Sequence, residues 1–79
     1  MNARARLPQK LAVLSRTELE TIIHECAFNR EDDLIARRYM VEKQCQIDIA
    51  TEIGYERSTI GRRLPRIMNR AIEIMERIS

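Results

Sequence analysis

Tryptophan is absent from this chain, phenylalanine occurs once and tyrosine twice, and no Asn-Gly or similar hairpin dipeptide interrupts it. Strands draw on aromatic residues and are bounded by such turns, so these absences argue against a β fold and leave helices. The two glycines and two prolines in 79 residues also leave long stretches free to be helical. No apolar run approaches the ~20 residues that span a membrane, which predicts a soluble, cytoplasmic chain. The apolar share of 44% is nevertheless ordinary for a globular protein and excludes wholesale disorder. At this length the core is small and there is room for one domain.

Residues that carry chemistry are equally scarce. Cys26 and Cys45 have neither metal nor redox spacing, and no signal-peptide pattern accompanies them. They are expected to be reduced and buried as small hydrophobes. His24, the lone histidine, falls off the apolar stripe of its helix and is expected at the surface. With no Gly-rich phosphate loop, nucleophile–base pair or ligand cluster, no enzyme, cofactor or metal is expected.

What the chain does have is arginine, which accounts for twelve of its fourteen basic residues. Arginine forks onto phosphate and guanine edges where lysine is a point charge. The net charge of +2 is mild, but its distribution is not. Residues 18–33 hold Glu18, Glu20, Glu25, Glu31, Asp32 and Asp33 against Arg30 alone. Residues 55–70 hold Arg57, Arg62, Arg63, Arg66 and Arg70 against Glu56 alone. A basic end of this density suits a polyanion.

The sequence predicts an all-α bundle of four to five helices. Residues 1–14 form a basic N-terminal arm and residues 15–79 a single domain. The arm is expected to be flexible or loosely docked, serving as a solubilising tail, with contact to a DNA groove the second possibility. Ser15 and Glu18 make a capping box for a helix over about 16–27, with Leu19, Ile22, Ile23 and Cys26 as its stripe. Asn29 caps a helix over about 30–43, with Glu31, Asp32 and Asp33 in its first turn. Leu34, Ile35, Met40 and Val41 form its stripe, Tyr39 being partly buried. Arg37 and Arg38 are placed for phosphates or for nearby carboxylates.

Residues 46–65 have the pattern of a helix-turn-helix. Ile49 and Ile53 form the ridge of a first helix, and Ala50 is small where a second must cross closely. Gly54 stands where the chain turns through a left-handed residue, with Tyr55 packing under the turn. Ser58 and Thr59 suit a first turn, and Ile60 and Leu64 bury the second helix. Helices joined this way cross at ~90–120°.

The run from Leu34 to Leu64 resembles the fourth region of bacterial sigma-70-type factors, which binds the −35 promoter element. The likeness rests on the I-A-x-x-I-G core, Ile49 to Gly54, and on S-T-I-x-R-R-L, Ser58 to Leu64. It covers about residues 30–72. Many small phage and mobile-element regulators are similar to that module. The resemblance implies sequence-specific binding of double-stranded DNA and regulation of transcription in a prokaryote or phage. Arg57, Ser58, Gly61 and Arg62 would then face base edges, and Thr59, Arg63 and Arg66 phosphates. Arg62 and Arg63 are otherwise ordinary surface charges.

Three residues depart from the family pattern. Glu56 stands where a Ser or Thr usually caps the second helix, Gly61 lies at an expected solvent-facing position, and Pro65 is expected to break or kink the helix after Leu64. The other sigma regions are not in this sequence. A last helix over about 65–78 is apolar on two faces. Ile67, Ala71, Ile74 and Ile78 form a seam for a two-fold homodimer, and Met68, Ile72 and Met75 a second face, unless an N-terminal helix covers it. The function from a different class is an assembly module, docking on RNA polymerase or serving as a phage DNA-packaging subunit.

Overall fold

The computed structural model describes residues 6–78 and is an all-α bundle, with no strand among the described residues. Its helices are α1 (Gln9–Ala12), α2 (Arg16–Cys26), α3 (Arg30–Ala36), which runs on into a π-helical segment (Arg37–Val41), α4 (Gln46–Ile53) and α5 (Arg57–Ile78). None is long and apolar enough to cross a membrane.

Local chemistry starts α2 and α3 as expected. The Ser15 hydroxyl accepts the Glu18 N–H while the Glu18 carboxylate accepts the Ser15 N–H, closing a capping box. The Asn29 side chain accepts the Asp32 N–H at 2.8 Å. Beyond Ala36 the backbone widens, the Glu42 N–H reaching back to the Arg37 carbonyl. Lys43, at φ 60°, then turns the chain toward α4.

Leu19, Ile22, Ile23 and Cys26 of α2 are buried as their spacing predicts. The stripe of the next helix differs. Ile35, Ala36, Tyr39 and Met40 enter the core, while Leu34 and Val41 stay half-buried. Tyr39 displaces its aliphatic neighbours because its hydroxyl has a partner far along the chain. It accepts the Arg6 N–H at 3.0 Å and donates to the Arg6 carbonyl at 3.1 Å.

That contact also revises the arm. Its first five residues lie outside the described residues. From Arg6 onward, however, the chain is docked. Pro8 starts α1, Leu11 is fully buried, and the Lys10 ammonium pairs with Glu76 at 2.8 Å. The structured body therefore begins well before residue 15.

The largest departure is α5. A break or a kink at Pro65 was expected; there is no break, and one helix of 22 residues runs from Arg57 to Ile78 with Pro65 inside it. Ile60, Leu64, Ile67, Met68, Ala71 and Ile74 make one continuous buried stripe on both sides of the proline. Each large aliphatic side chain buried there contributes about 1.5–3 kcal/mol, against about 3 kcal/mol for an interior proline. Pro65 is also on the exposed face, where helix hydrogen bonds are already longest and a missing N–H costs least.

The same packing uses the seam expected to meet a second copy. Ile67, Ala71 and Ile74 are buried within the chain, and Ile78 alone of the four is exposed. Helix α2 covers this part of α5, with Ile72 and Met75 half-buried against the core.

Candidate nucleic-acid interface

Helices α4 and α5 pack on each other through Ile49, Ala50, Ile60 and Leu64, all buried. Between them Gly54 adopts φ 88°, and its N–H and that of Tyr55 both return to the Ala50 carbonyl, at 2.9 and 3.0 Å. No atom would oppose a Cβ at Gly54, so the glycine is required by the backbone conformation alone. The Glu56 carbonyl accepts the Thr59 N–H at 3.0 Å and opens α5. Its carboxylate, exposed beside the positive end of the helix dipole, stabilises that end.

With the apolar stripe of α5 turned inward, helical spacing puts Ser58, Arg62, Pro65, Arg66 and Asn69 on the opposite side, and all five are exposed. Arg57 is exposed in the first turn, and Thr59 is half-buried. Arg57, Arg62 and Arg66 form no ion pair with any described residue. Three expected contact residues thus stand together on one helix with their charge unmatched among the described residues.

Two others point elsewhere. Gly61 is half-buried rather than solvent-facing, and a Cβ there would lie 3.2 Å from the Gln46 amide oxygen of α4. Arg63 turns to α3, donating to Glu31 at 2.8 Å and lying 3.5 Å from Asp32. Its guanidinium also lies 5.3 Å from the centroid of the Tyr55 ring, a cation–π distance. The Tyr55 hydroxyl donates to the same Glu31 carboxylate. That bond first, and the Arg63 bond second, hold Glu31 below the usual carboxylate range. The Glu31 bond in turn raises the Tyr55 phenol and the Arg63 guanidinium. Arg63 therefore ties α5 to α3. The phosphate role expected for it would require breaking two carboxylate contacts.

Arg37 pairs with Asp33, and Arg38 with Glu42 and Glu52, so both take the carboxylate alternative. Cys26 is buried and Cys45 half-buried, and burial pushes the Cys26 thiol up to about 11. His24 is exposed. Among the described residues no group of His, Cys, Asp or Glu is placed to hold a metal ion.

Sequence reasoning missed Gln46 and Asn69, which border the presented face of α5. Asn69 follows Ser58, Arg62 and Pro65 at helical spacing. That spacing is present in the sequence and becomes one face only when the helix continues through Pro65. Gln46 has no such signal, because its position depends on how α4 crosses Gly61. The chain matches no family model, no curated protein and no solved structure.

Proposed function

We propose that this protein binds double-stranded DNA with sequence preference by laying the exposed side of α5 in the major groove, and that it regulates transcription in a bacterium or phage. The observation that carries this is the trio Arg57, Arg62 and Arg66, exposed on one helix and paired with no carboxylate among the described residues. An exposed helix face of this kind fits the ~12 Å width of the major groove. The likeness of Ile49–Gly54 and Ser58–Leu64 to the fourth sigma region supports the same assignment.

In this scheme α4, the Gly54 turn and the first half of α5 are a helix-turn-helix. Arg57, Ser58 and Arg62 read base edges, with Asn69 farther along the same side, and Thr59 and Arg66 meet phosphates. Glu56 accepts from a cytosine amine at the helix start. Gly61 lets α4 approach, and Arg63 fixes the angle at which α5 is presented.

Selection from random duplex DNA at two salt concentrations tests this. A single enriched motif supports a specific regulator. Steep salt dependence without a motif indicates packaging or architecture instead, and no binding at low salt overturns the proposal.

One observation favours a second function. Val13 and Ile78 are 69% and 54% exposed, and Ile78 lines a groove with Leu14, Ile22 and Met75 whose remaining wall is Thr17, Glu18 and Thr21. Such a patch suits a docking module for polymerase or an assembly partner.

A further inference from the structure

Resting on that DNA-binding assignment, we propose that Arg6 is a second DNA contact, a phosphate clamp that Tyr39 holds beside the presented face of α5. The chain from Arg6 to Leu11 is fixed at three places. The Tyr39 hydroxyl, with one donor and an acceptor to offer, uses both on the Arg6 backbone, across 33 residues of sequence. Pro8 stands at φ −53° and its carbonyl accepts the N–H groups of Leu11 and Ala12, both at 2.9 Å. Leu11 is fully buried. Packing of α1 needs only the last two. The Tyr39 bonds do something more, since they position a residue that is itself exposed.

Arg6 lies across a groove of about 460 Å³ from Gly61, Pro65 and Asn69 of α5, with Gln46 also lining it. Pro65 and Asn69 belong to the outward side of α5, so this groove opens next to Arg62. No carboxylate lines it. Its polar lining residues are Arg6, Gln46, Asn69 and Tyr39, whose hydroxyl is taken up by the Arg6 backbone; the side chains of the first three are all able to donate to phosphate oxygen. The opposite flank of α5 differs, because there Glu31 and Asp32 face Arg63. A DNA strand beside α5 would be repelled on the carboxylate side and attracted on the Arg6 side. Lys10, four residues on, is paired with Glu76, whereas Arg6 pairs with no described acidic group.

The test uses the full chain, a duplex chosen by selection on the wild type, and binding isotherms over a range of salt. Arg6→Ala is expected to weaken binding several-fold and to reduce the slope of log affinity against log salt by about one, without changing the preferred motif. Arg6→Lys retains the slope. Tyr39→Phe keeps the buried ring and loses the hydroxyl, and is expected to reproduce most of the Arg6→Ala loss. The double variant is then no weaker than Arg6→Ala alone, a coupling that a merely structural tyrosine would not show. An unchanged slope in Arg6→Ala overturns the clamp whether or not Tyr39→Phe folds. Additive losses overturn the role of Tyr39. A wild type that binds no duplex removes the parent assignment, and that result is recognised before any variant is made.

Discussion

The two halves of α5 both carry arginine and treat its charge in opposite ways, because only the second half has glutamates of its own. In the second half Arg70 and Arg77 both reach Glu73, and Glu76 pairs with Lys10 of α1. In the first half Arg57 and Arg62, with Arg66 just beyond Pro65, are left unpaired among the described residues. The exception there, Arg63, is paired because it faces α3 rather than solvent. Exposure alone does not separate the halves, since both have exposed arginines, but the only glutamates of α5, Glu73 and Glu76, lie in its second half. The difference is that the second half answers its cations within the chain, through exposed pairs worth little individually. The first half has no such answer among the described residues, and in the proposed function DNA phosphate supplies it. Arginine content located the basic end, whereas the pairing pattern narrows it to one helical side.

The largest effect is expected where the halves meet. Ile67 is buried two residues beyond Pro65, in the stripe that holds both halves to the body. Ile67→Ala should cost about 2–5 kcal/mol, enough to unfold much of so small a domain. Urea denaturation followed by circular dichroism measures this. A loss confined to the second half, with α4 and the first turns of α5 intact, would show that the halves are held independently.

Next in size is Arg62→Ala, expected to reduce DNA affinity by about 1–3 kcal/mol and to relax preference at one base position. Arg70→Ala is its counterpart in the second half. It should leave DNA binding unchanged and cost about 0.3–0.5 kcal/mol of stability through the Glu73 pair. Equal losses of DNA affinity in the two variants would dissolve the comparison.

Much of the fold was legible because its signals are local. The Ser15–Glu18 box, the Asn29 cap, the left-handed Gly54 and the stripe of α2 each depend on residues within one or two turns. What was not legible depends on distant partners. Tyr39 looked secondary to Leu34 and Val41 until its hydroxyl met the Arg6 backbone. Arg63 resembled Arg62 until α3 brought Glu31 and Asp32 to it. Pro65 carried a local stop signal that a six-residue buried stripe overrode. Of the expected contact residues, Arg57, Ser58, Arg62 and Arg66 are exposed, Thr59 is half-buried, and Gly61 and Arg63 are turned inward. The inward pair has no sequence signal, because their direction is set by the angle at which α5 crosses α4 and α3.

Pro65 offers a smaller test. Pro65→Ala restores an N–H to the Gly61 carbonyl and removes an interior proline from an intact helix. The variant should be more stable by about 1–2 kcal/mol, part of the ~3 kcal/mol difference having been relieved by the exposed location. A destabilised variant would mean that the proline is itself required for the two halves to reach their separate neighbours. The midpoint of urea unfolding decides between these.

The smallest effect concerns the carboxylate that keeps Arg63 inward. Glu31 is held below its ordinary value of 4.5 by the Tyr55 hydroxyl and the Arg63 guanidinium. Folding therefore favours its charged form, and the stability this contributes is complete above pH 4.5 and lost as pH falls through the depressed value. At the other limit Tyr55 is raised above 10.0 and Cys26 from 9.0 to about 11, both favouring the neutral form in the folded state. Their contributions are complete below the unfolded values and fade as pH rises through the folded ones. Glu31→Gln should flatten the acid limb of a urea-midpoint profile and lower the pH at which the Tyr55 phenol ionises, while the Cys26 part of the alkaline limb persists. Freed from Glu31, Arg63 becomes available to phosphate, so the same variant should bind non-specific duplex with a steeper salt slope. If the acid limb flattens but the salt slope stays at its wild-type value, Asp32 and the Tyr55 ring suffice to keep Arg63 inward. The first half of α5 then owes its selectivity to which arginines the fold points outward, with no contribution from the carboxylate that restrains the remaining one.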